Sequence, residues 1–155
     1  MWYGFCEVNC ENAVLLQRNW QKVNGMPLKI VLKPGEKVVI NQAVLQNGRE
    51  KSEIIVQNKA SILRERDIMT EKGANSPAKR IYFIVQMIYM FPNKEREYQD
   101  RFHRFSKEFV DAVPSSLPLI LDIGKQIVVG DVYGALKLCR KLIKYEDEVL
   151  EHATK

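Results

Sequence analysis

Apolar and polar residues alternate with a period of two in the segment that begins near residue 28, and this period is typical of β-strands. In residues 28–33 it places Leu28, Ile30 and Leu32 on one face, with Lys29 on the other. Polar breaks divide the following residues into further short apolar runs. We therefore predict five strands, at residues 28–33, 36–40, 43–46, 52–57 and 60–63.

Two dipeptides give the clearest turn signals in this region. Pro34-Gly35 suits the centre of a type II turn, because proline presets φ and glycine accepts a positive φ. Asn47-Gly48 is the strongest short hairpin signal in the chain and predicts a hairpin between the third and fourth strands.

The period becomes helical after about residue 70. Ser76-Pro77 is a typical helix start, because the serine hydroxyl can cap the helix and proline is favoured at the first helical position. Residues 81–91 are apolar almost all round, but a membrane-spanning helix needs roughly 20 such residues. We therefore predict a buried central helix, with Gln86 hydrogen-bonded inside the core.

Three further helices are predicted after this one. Asn93 is placed to cap the first of them, residues 114–118 interrupt it with two prolines, and Gly130-Asp131 separates the last two. Aromatic residues recur in that first helix at helical spacing, at Tyr98, Phe102, Phe105 and Phe109. The whole pattern predicts an α+β fold, with a small N-terminal antiparallel sheet or barrel of about five strands followed by about four helices.

These patterns divide the chain into a β unit at residues 26–70 and a helical unit at residues 71–155. Residues 1–25 differ from both, and they lack the basic start and long apolar run of a secretory signal. We expect Met26 to open the folded domain and residues 1–25 to be an extension. The alternative is a short helix or strand at residues 13–20 that docks on the domain.

The net charge of +5 is concentrated in one part of the chain. Residues 26–80 carry eleven basic and six acidic side chains, whereas residues 1–25 and residues 81–155 are each neutral. A basic sheet is expected where a protein meets a polyanion, although lysines also protect the edges of small sheets from aggregation. Residues 26–80 contain no Phe, Tyr or Trp, so RNA contacts there would use phosphate pairing rather than base stacking.

Signals for catalysis and for metal binding are weak. No serine or cysteine motif accompanies His103, and Cys139 lies on the apolar stripe of the last helix, which favours a packed thiol. Cys6 and Cys10 are spaced to share a helix face, but no further ligand lies near them. We expect no enzymatic activity, no cofactor, no metal site and no membrane segment, and three cysteines suit a reducing compartment.

Four stretches, in order along the chain, resemble the FlbT family of flagellar-biosynthesis regulators. They are Lys-Pro-Gly-Glu at 33–36, Ile-Asn-Gln-Ala-Val at 40–44, Leu-Arg-Glu-Arg-Asp-Ile at 63–68 and Ser-Pro-Ala-Lys-Arg-Ile-Tyr-Phe at 76–83. The family usually has glycine where this chain has Gln42, so a non-glycine residue must make this turn. The resemblance covers residues 26–150 and implies a single FlbT-like domain.

The resemblance implies a bacterial cytoplasmic protein that acts after transcription. Such proteins associate with the 5′ untranslated leader of flagellin mRNA and change its translation and stability, and repression is the effect we expect of this chain. Together with the charge distribution, this makes seven basic residues candidate RNA contacts: Lys29, Lys33, Lys37, Arg49, Arg64, Arg66 and Arg80.

A rival hypothesis is a protein-interaction adaptor that affects the mRNA only indirectly. The resemblance implies a FlaF-like helical regulator as a partner protein, and flagellin is the other candidate partner. The aromatic helix at residues 93–113 would then carry the contact, with Tyr98, Phe102 and Arg104 as candidate residues.

Overall fold

The computed structural model describes residues 27–153. The predicted extension at residues 1–25, with Cys6 and Cys10, lies outside the described residues. The chain divides into two compact units, Met1–Ile62 and Leu63–Lys155. We call them the sheet unit and the helical unit, and each is described by itself.

Within residues 27–153, five strands form where the alternating pattern predicted them, with shifts of one or two residues at some ends. They are β1 (Leu28–Leu32), β2 (Lys37–Ile40), β3 (Ala43–Gln46), β4 (Ser52–Val56) and β5 (Ile62–Arg64). β1 and β4 form an antiparallel pair, and a second sheet has the order β3-β2-β5, with β2 and β3 antiparallel. The prediction of a small antiparallel sheet structure is confirmed, as two sheets rather than one.

The described part of the sheet unit, residues 27–62, has a small core. Ile30, Leu32 and Val38 are almost fully buried, and partly buried side chains from β2, β4 and β5 pack against them. Leu28, which the alternation placed on the same face as Ile30 and Leu32, is 53% exposed. The apolar face of β1 therefore contributes only its second half to the core.

The structure confirms the turn predicted at Pro34-Gly35 but not the hairpin predicted at Asn47-Gly48. Gly35 has a φ of +72°, and the Glu36 N–H donates to the Lys33 carbonyl at 3.1 Å, as a type II turn requires. The hairpin predicted at Asn47-Gly48 is wrong, because β3 pairs with β2 and β4 pairs with β1. The tight hairpin instead closes β2 to β3 at Asn41-Gln42.

Both residues of that two-residue turn have positive φ angles, +53° at Asn41 and +87° at Gln42. This is the signature of a type I′ turn, which matches the twist of the flanking strands. The Asn41 carboxamide oxygen accepts a hydrogen bond from the Ser61 N–H at 2.9 Å, and the Asn41 N–H donates to the Ser61 carbonyl. Asn41 thus stabilises its own left-handed conformation, whereas Gln42 occupies a position that favours glycine.

Four α-helices follow the strands in the described residues and complete the α+β fold. They are α1 (Pro77–Met90), α2 (Glu95–Ala112), α3 (Leu117–Val128) and α4 (Val132–Ala153). Ser76 caps α1 through its hydroxyl, which accepts from the Lys79 N–H at 3.3 Å. Asn93 does not cap α2, because a short 3-10 turn at Pro92–Lys94 precedes the helix and Lys94 takes the cap position without a side-chain hydrogen bond.

The helical unit is built around α1. α1 contacts α2 and α4, and α3 packs on α4, so the buried faces of all four helices share one core. Gln86 is buried in α1 and makes two hydrogen bonds to the backbone of Met69, at 2.7 and 2.9 Å, which confirms its predicted role. Across residues 27–153, no helix combines the length and the hydrophobicity that a membrane span requires.

Candidate nucleic-acid interface

The Lys-Pro-Gly-Glu turn of the sheet unit is held by the side chain of Asn47. Its amide nitrogen donates to the carbonyls of Leu32, Lys33 and Glu50 at 3.2, 2.8 and 2.8 Å. Its amide oxygen accepts from the Ser52 hydroxyl at 2.7 Å. One side chain therefore fixes the end of β1, the turn and the loop before β4, and we call this arrangement the Asn47 clamp.

Backbone hydrogen bonds reinforce the clamp. The Gly35 N–H donates to the Gly48 carbonyl at 3.0 Å, and the Asn47 N–H donates to the Glu36 carbonyl at 2.9 Å. The Glu36 carboxylate accepts from the Lys33 N–H at 2.9 Å. Lys33 and Arg49 are consequently carried on two loops that are bound to each other, and both residues are exposed.

The basic residues of the sheet unit differ in how much of their charge is available. The Lys29 ammonium lies 2.7 Å from the Glu53 carboxylate across the β1–β4 pair, so its charge is largely compensated. Lys37 is exposed at the start of β2. Residues 27–62 contain six basic and three acidic side chains. This part of the chain therefore keeps a net positive charge when the Lys29–Glu53 pair is left out of the count.

In the helical unit, the Leu-Arg-Glu-Arg-Asp-Ile stretch contains two neighbouring charged residues with different surroundings. Asp67 makes contacts inside the unit, and Arg66 is exposed. The Asp67 carboxylate lies 2.8 Å from the Arg140 guanidinium. The backbone carbonyl of Asp67 accepts a hydrogen bond from the Tyr82 hydroxyl at 2.6 Å. The side chain of Arg66 is 77% exposed and lies 3.7 Å from the same carboxylate. Asp67 is thus committed to α1 and α4, and Arg66 points to solvent.

Burial shapes the chemistry of the residues around Asp67. It raises the pKa of the Tyr82 hydroxyl, and Arg140 offsets only part of this rise. Burial also raises the pKa of the Cys139 thiol, which is inside the core. Tyr82 and Cys139 therefore stay protonated at neutral pH, and the predicted packed thiol is confirmed.

The two remaining arginine candidates have different surroundings. Arg64 is partly buried at the end of β5. Arg80 is exposed on the first turn of α1 and lines a cavity of about 340 Å³ whose walls also include Glu108 and Glu146. Arg80 therefore shares the cavity wall with two carboxylates.

The candidate partner-binding residues of α2 lie at different depths. Phe102 is 4% exposed and belongs to the core, and Tyr98 is half-buried. Arg104 is exposed, with its guanidinium carbon 5.2 Å from the ring centroid of Phe105. Only the last of these three candidates is fully available on the surface.

The buried ionic contacts of the helical unit were missed by sequence reasoning. Glu146 is 6% exposed, and its carboxylate accepts hydrogen bonds from the Ser76 hydroxyl and from the Ala78 N–H, the latter at 3.0 Å. A signal was present, because Glu146 continues the buried stripe that Cys139 and Leu142 form on α4. No comparable signal linked Arg140 to Asp67, since the two residues are far apart in the chain.

Metal binding has no support in the described part of the chain, where no group of three or more His, Cys, Asp or Glu side chains is placed to hold an ion. Cys6 and Cys10 lie outside that part. What the described surface does present is exposed basic side chains, Lys33 and Arg49, on the two loops joined by Asn47.

Known proteins similar to this chain are flagellar proteins. The family described as flagellar protein FlbT matches residues 28–150. The "Probable flagellum biosynthesis repressor protein FlbT" of Caulobacter sp. (strain K31) is 48% identical over 132 residues, which cover 83% of this chain and 100% of that protein.

Two further relatives are similar over nearly their full lengths. The "Flagellum biosynthesis repressor protein FlbT" of Caulobacter vibrioides (strain ATCC 19089 / CIP 103742 / CB 15) is 44% identical over 83% of this chain and 93% of its own. The "Probable flagellum biosynthesis repressor protein FlbT" of Rhodopseudomonas palustris (strain TIE-1) is 44% identical over 81% of this chain and 98% of its own. No solved structure matches the chain.

Proposed function

Since the chain belongs to the FlbT family of flagellar proteins, we propose that it is a cytoplasmic, post-transcriptional repressor of flagellum biosynthesis. It binds the 5′ untranslated leader of flagellin mRNA and changes the translation and stability of that mRNA. It acts by binding and has no enzymatic activity. The repressor names of the relatives support the regulatory part of this proposal.

The observation that carries the RNA-binding part is the Asn47 clamp. It holds Lys33 and Arg49 on two bound loops, with Lys37 exposed on the strand that follows the turn. Basic side chains on a backbone that is already held in place lose less conformational entropy when they bind phosphates than those on a mobile loop do. The positive excess of this unit attracts a polyanion over distances of about one Debye length.

The mode of binding follows from the residues available. Residues 27–80 contain no aromatic side chain, so the sheet unit contacts the leader through phosphates and not by stacking bases. Phosphate contacts position a protein but carry little sequence information. Selectivity for one leader would then come from the folded shape of the RNA.

The test is a titration of a flagellin leader transcript with purified protein at several salt concentrations. Lys33→Gln and Arg66→Gln should each weaken binding, and each should lower the slope of log affinity against log salt by roughly 0.7 per lost phosphate contact on single-stranded RNA. Filter binding or gel shift measures both quantities.

Lys125→Gln is the matched control for these substitutions. It removes the same charge from a residue on α3 whose side chain is 72% exposed and is paired with Asp122 at 3.0 Å. Its salt slope should equal that of the unmodified chain. The proposed site is wrong if Lys33→Gln, Arg66→Gln and Lys125→Gln have the same slope.

A second candidate function is the adaptor, and the cavity of the helical unit favours it. Phe105 and Phe109 of α2 line this cavity together with Leu150, which is 57% exposed. An apolar, partly open cavity of this kind suits a side chain of a flagellar partner protein. If purified protein fails to bind the leader at near-physiological salt, the adaptor replaces RNA binding as the proposed function.

A further inference from the structure

Among the described residues, β3 is an edge strand of the three-stranded sheet, and its composition is unusual for a sheet edge. All four of its residues are exposed, including Val44 at 66% and Leu45 at 40%. Each of the other four strands contains a charged residue, whereas β3 reads Ala-Val-Leu-Gln. Edge strands usually carry charges or proline that prevent pairing with another chain, and β3 carries neither.

The hydrogen-bond phase of the β2–β3 hairpin decides which backbone groups of β3 point outward. A two-residue turn makes Ile40 and Ala43 a hydrogen-bonded pair, and such pairs alternate along the ladder. The 2.9 Å bond from the Asn47 N–H to the Glu36 carbonyl has the same phase. The N–H and C=O groups of Val44 and Gln46 therefore point to the open side of the sheet.

We propose that β3 is a self-association edge, and that it pairs antiparallel with β3 of a second copy of this chain. In the register centred on Leu45, Val44 of each copy lies opposite Gln46 of the other. All four outward groups of each strand then find partners, giving about four hydrogen bonds in total. Registers centred on Val44 or on Gln46 satisfy only half of these groups.

The chemistry of β3 favours a second copy over another partner strand. A two-fold axis through Leu45 makes the hydrogen-bonding pattern complementary to itself. No like charges come opposite each other, because β3 has no charged residue. The two Leu45 side chains form a close non-hydrogen-bonded pair, and the exposed fraction of each is buried by the other.

A single cysteine tests the register. Leu45→Cys, in a chain with Cys6 and Cys10 replaced by Ser, should form a disulfide-linked dimer under a mild oxidant, because the axis places the two sulfurs opposite each other. Cys139 is buried and does not interfere. Val44→Cys should not cross-link, since Val44 of the second copy lies opposite Gln46, two residues along the strand from Val44 of the first. Ile55→Cys, on the exposed side of β4, controls for random collision.

A proline tests the hydrogen bonds. Val44→Pro removes an N–H that points away from β2, so the hairpin keeps its own ladder while the dimer loses two bonds. Sedimentation equilibrium should show the mass of two chains for the unmodified protein at high concentration. The dissociation constant of the Val44→Pro dimer should be higher than that of the unmodified dimer by about ten-fold or more.

Circular dichroism of Val44→Pro establishes that the variant is folded, and the cysteine variants give a readout that needs no proline. A monomer at every concentration overturns the proposal. So does a dimer that Leu45→Cys fails to cross-link, since such a dimer uses another surface. The result is independent of the leader titration, which reports on RNA binding by Lys33 and Arg66.

Discussion

The sheet unit and the helical unit are stabilised by different interactions. Among residues 27–62 of the sheet unit, Ile30, Leu32 and Val38 are the side chains that are almost completely buried, and the loops are joined by the many hydrogen bonds of Asn47. The helical unit buries most of the hydrophobic core, including Ile123, Leu136 and Leu142. Where few side chains are fully buried, as in residues 27–62, polar contacts in the turns carry more of the stability, whereas the helices of residues 77–153 depend on packing.

The two units also differ in how their basic side chains are paired with acidic ones. On the helices, several basic side chains are paired with acids, as in Arg140–Asp67, Arg101–Glu97 and Lys125–Asp122. In the sheet unit, Lys29–Glu53 is such a pair, but Lys33 and Arg49 lie exposed on the clamped loops. The loops that the Asn47 clamp joins therefore also expose the basic side chains of the sheet unit to solvent.

The largest expected effect is in the packed unit. Leu142→Ala removes a side chain that is fully buried in α4, and it should lower the free energy of unfolding by about 2–5 kcal/mol. Leu150→Ala, on the same helix and 57% exposed, should change it by less than about 0.5 kcal/mol. Urea denaturation followed by circular dichroism measures both, and equal effects would contradict the packing argument.

The next effect should come from the clamp. Asn47→Ala leaves the carbonyls of Leu32, Lys33 and Glu50 without their side-chain donor, which should cost about 1–3 kcal/mol. Amide hydrogen exchange should show the loss in β1 and β4. Asn58→Ala, at an exposed loop residue, is the control and should leave exchange unchanged. If Asn47→Ala behaves like this control, the polar clamp does not stabilise the sheet unit.

The smallest effect is at the type I′ turn. Gln42→Gly relieves a left-handed conformation at φ +87°, which costs a non-glycine residue roughly 1–2 kcal/mol, against an entropy loss of roughly 0.4–1 kcal/mol. We expect a net stabilisation of about 0.5 kcal/mol in thermal unfolding. Gln46→Gly makes the same chemical change within β3 and should destabilise the protein. A destabilised Gln42→Gly variant would mean that the Gln42 side chain makes a contribution larger than its backbone strain.

Local patterns predicted most of the elements. The period of two located all five strands, and Ser76-Pro77 located the start of α1, because both signals depend on residues close in the chain. Asn47-Gly48 was recognised as a turn signal, but its hairpin was wrong. Which strands pair depends on which apolar faces meet, and that choice is made by residues distant in sequence.

The candidate site divides in the same way. The positive excess of the sheet unit could be counted from the residues alone. The compensation of Lys29 by Glu53 could not, because it depends on the register between β1 and β4. Likewise, Arg66 and Asp67 are neighbours in the chain, and only the contact with Arg140 shows that one is structural and the other exposed.

By itself, the sequence determined the α+β order of elements, the membership of the FlbT family and the location of the charge. These follow from periodicity, from turn residues and from residue identities, all of which are local properties. The tertiary structure decided the strand pairing, the Asn47 clamp, the burial of Phe102 and Glu146, and the open edge of β3. The β1–β4 pairing, the bond from Asn47 to Leu32 and the burial of Glu146 against Ser76 each depend on contacts between residues far apart in the chain, and such contacts form only when the chain folds.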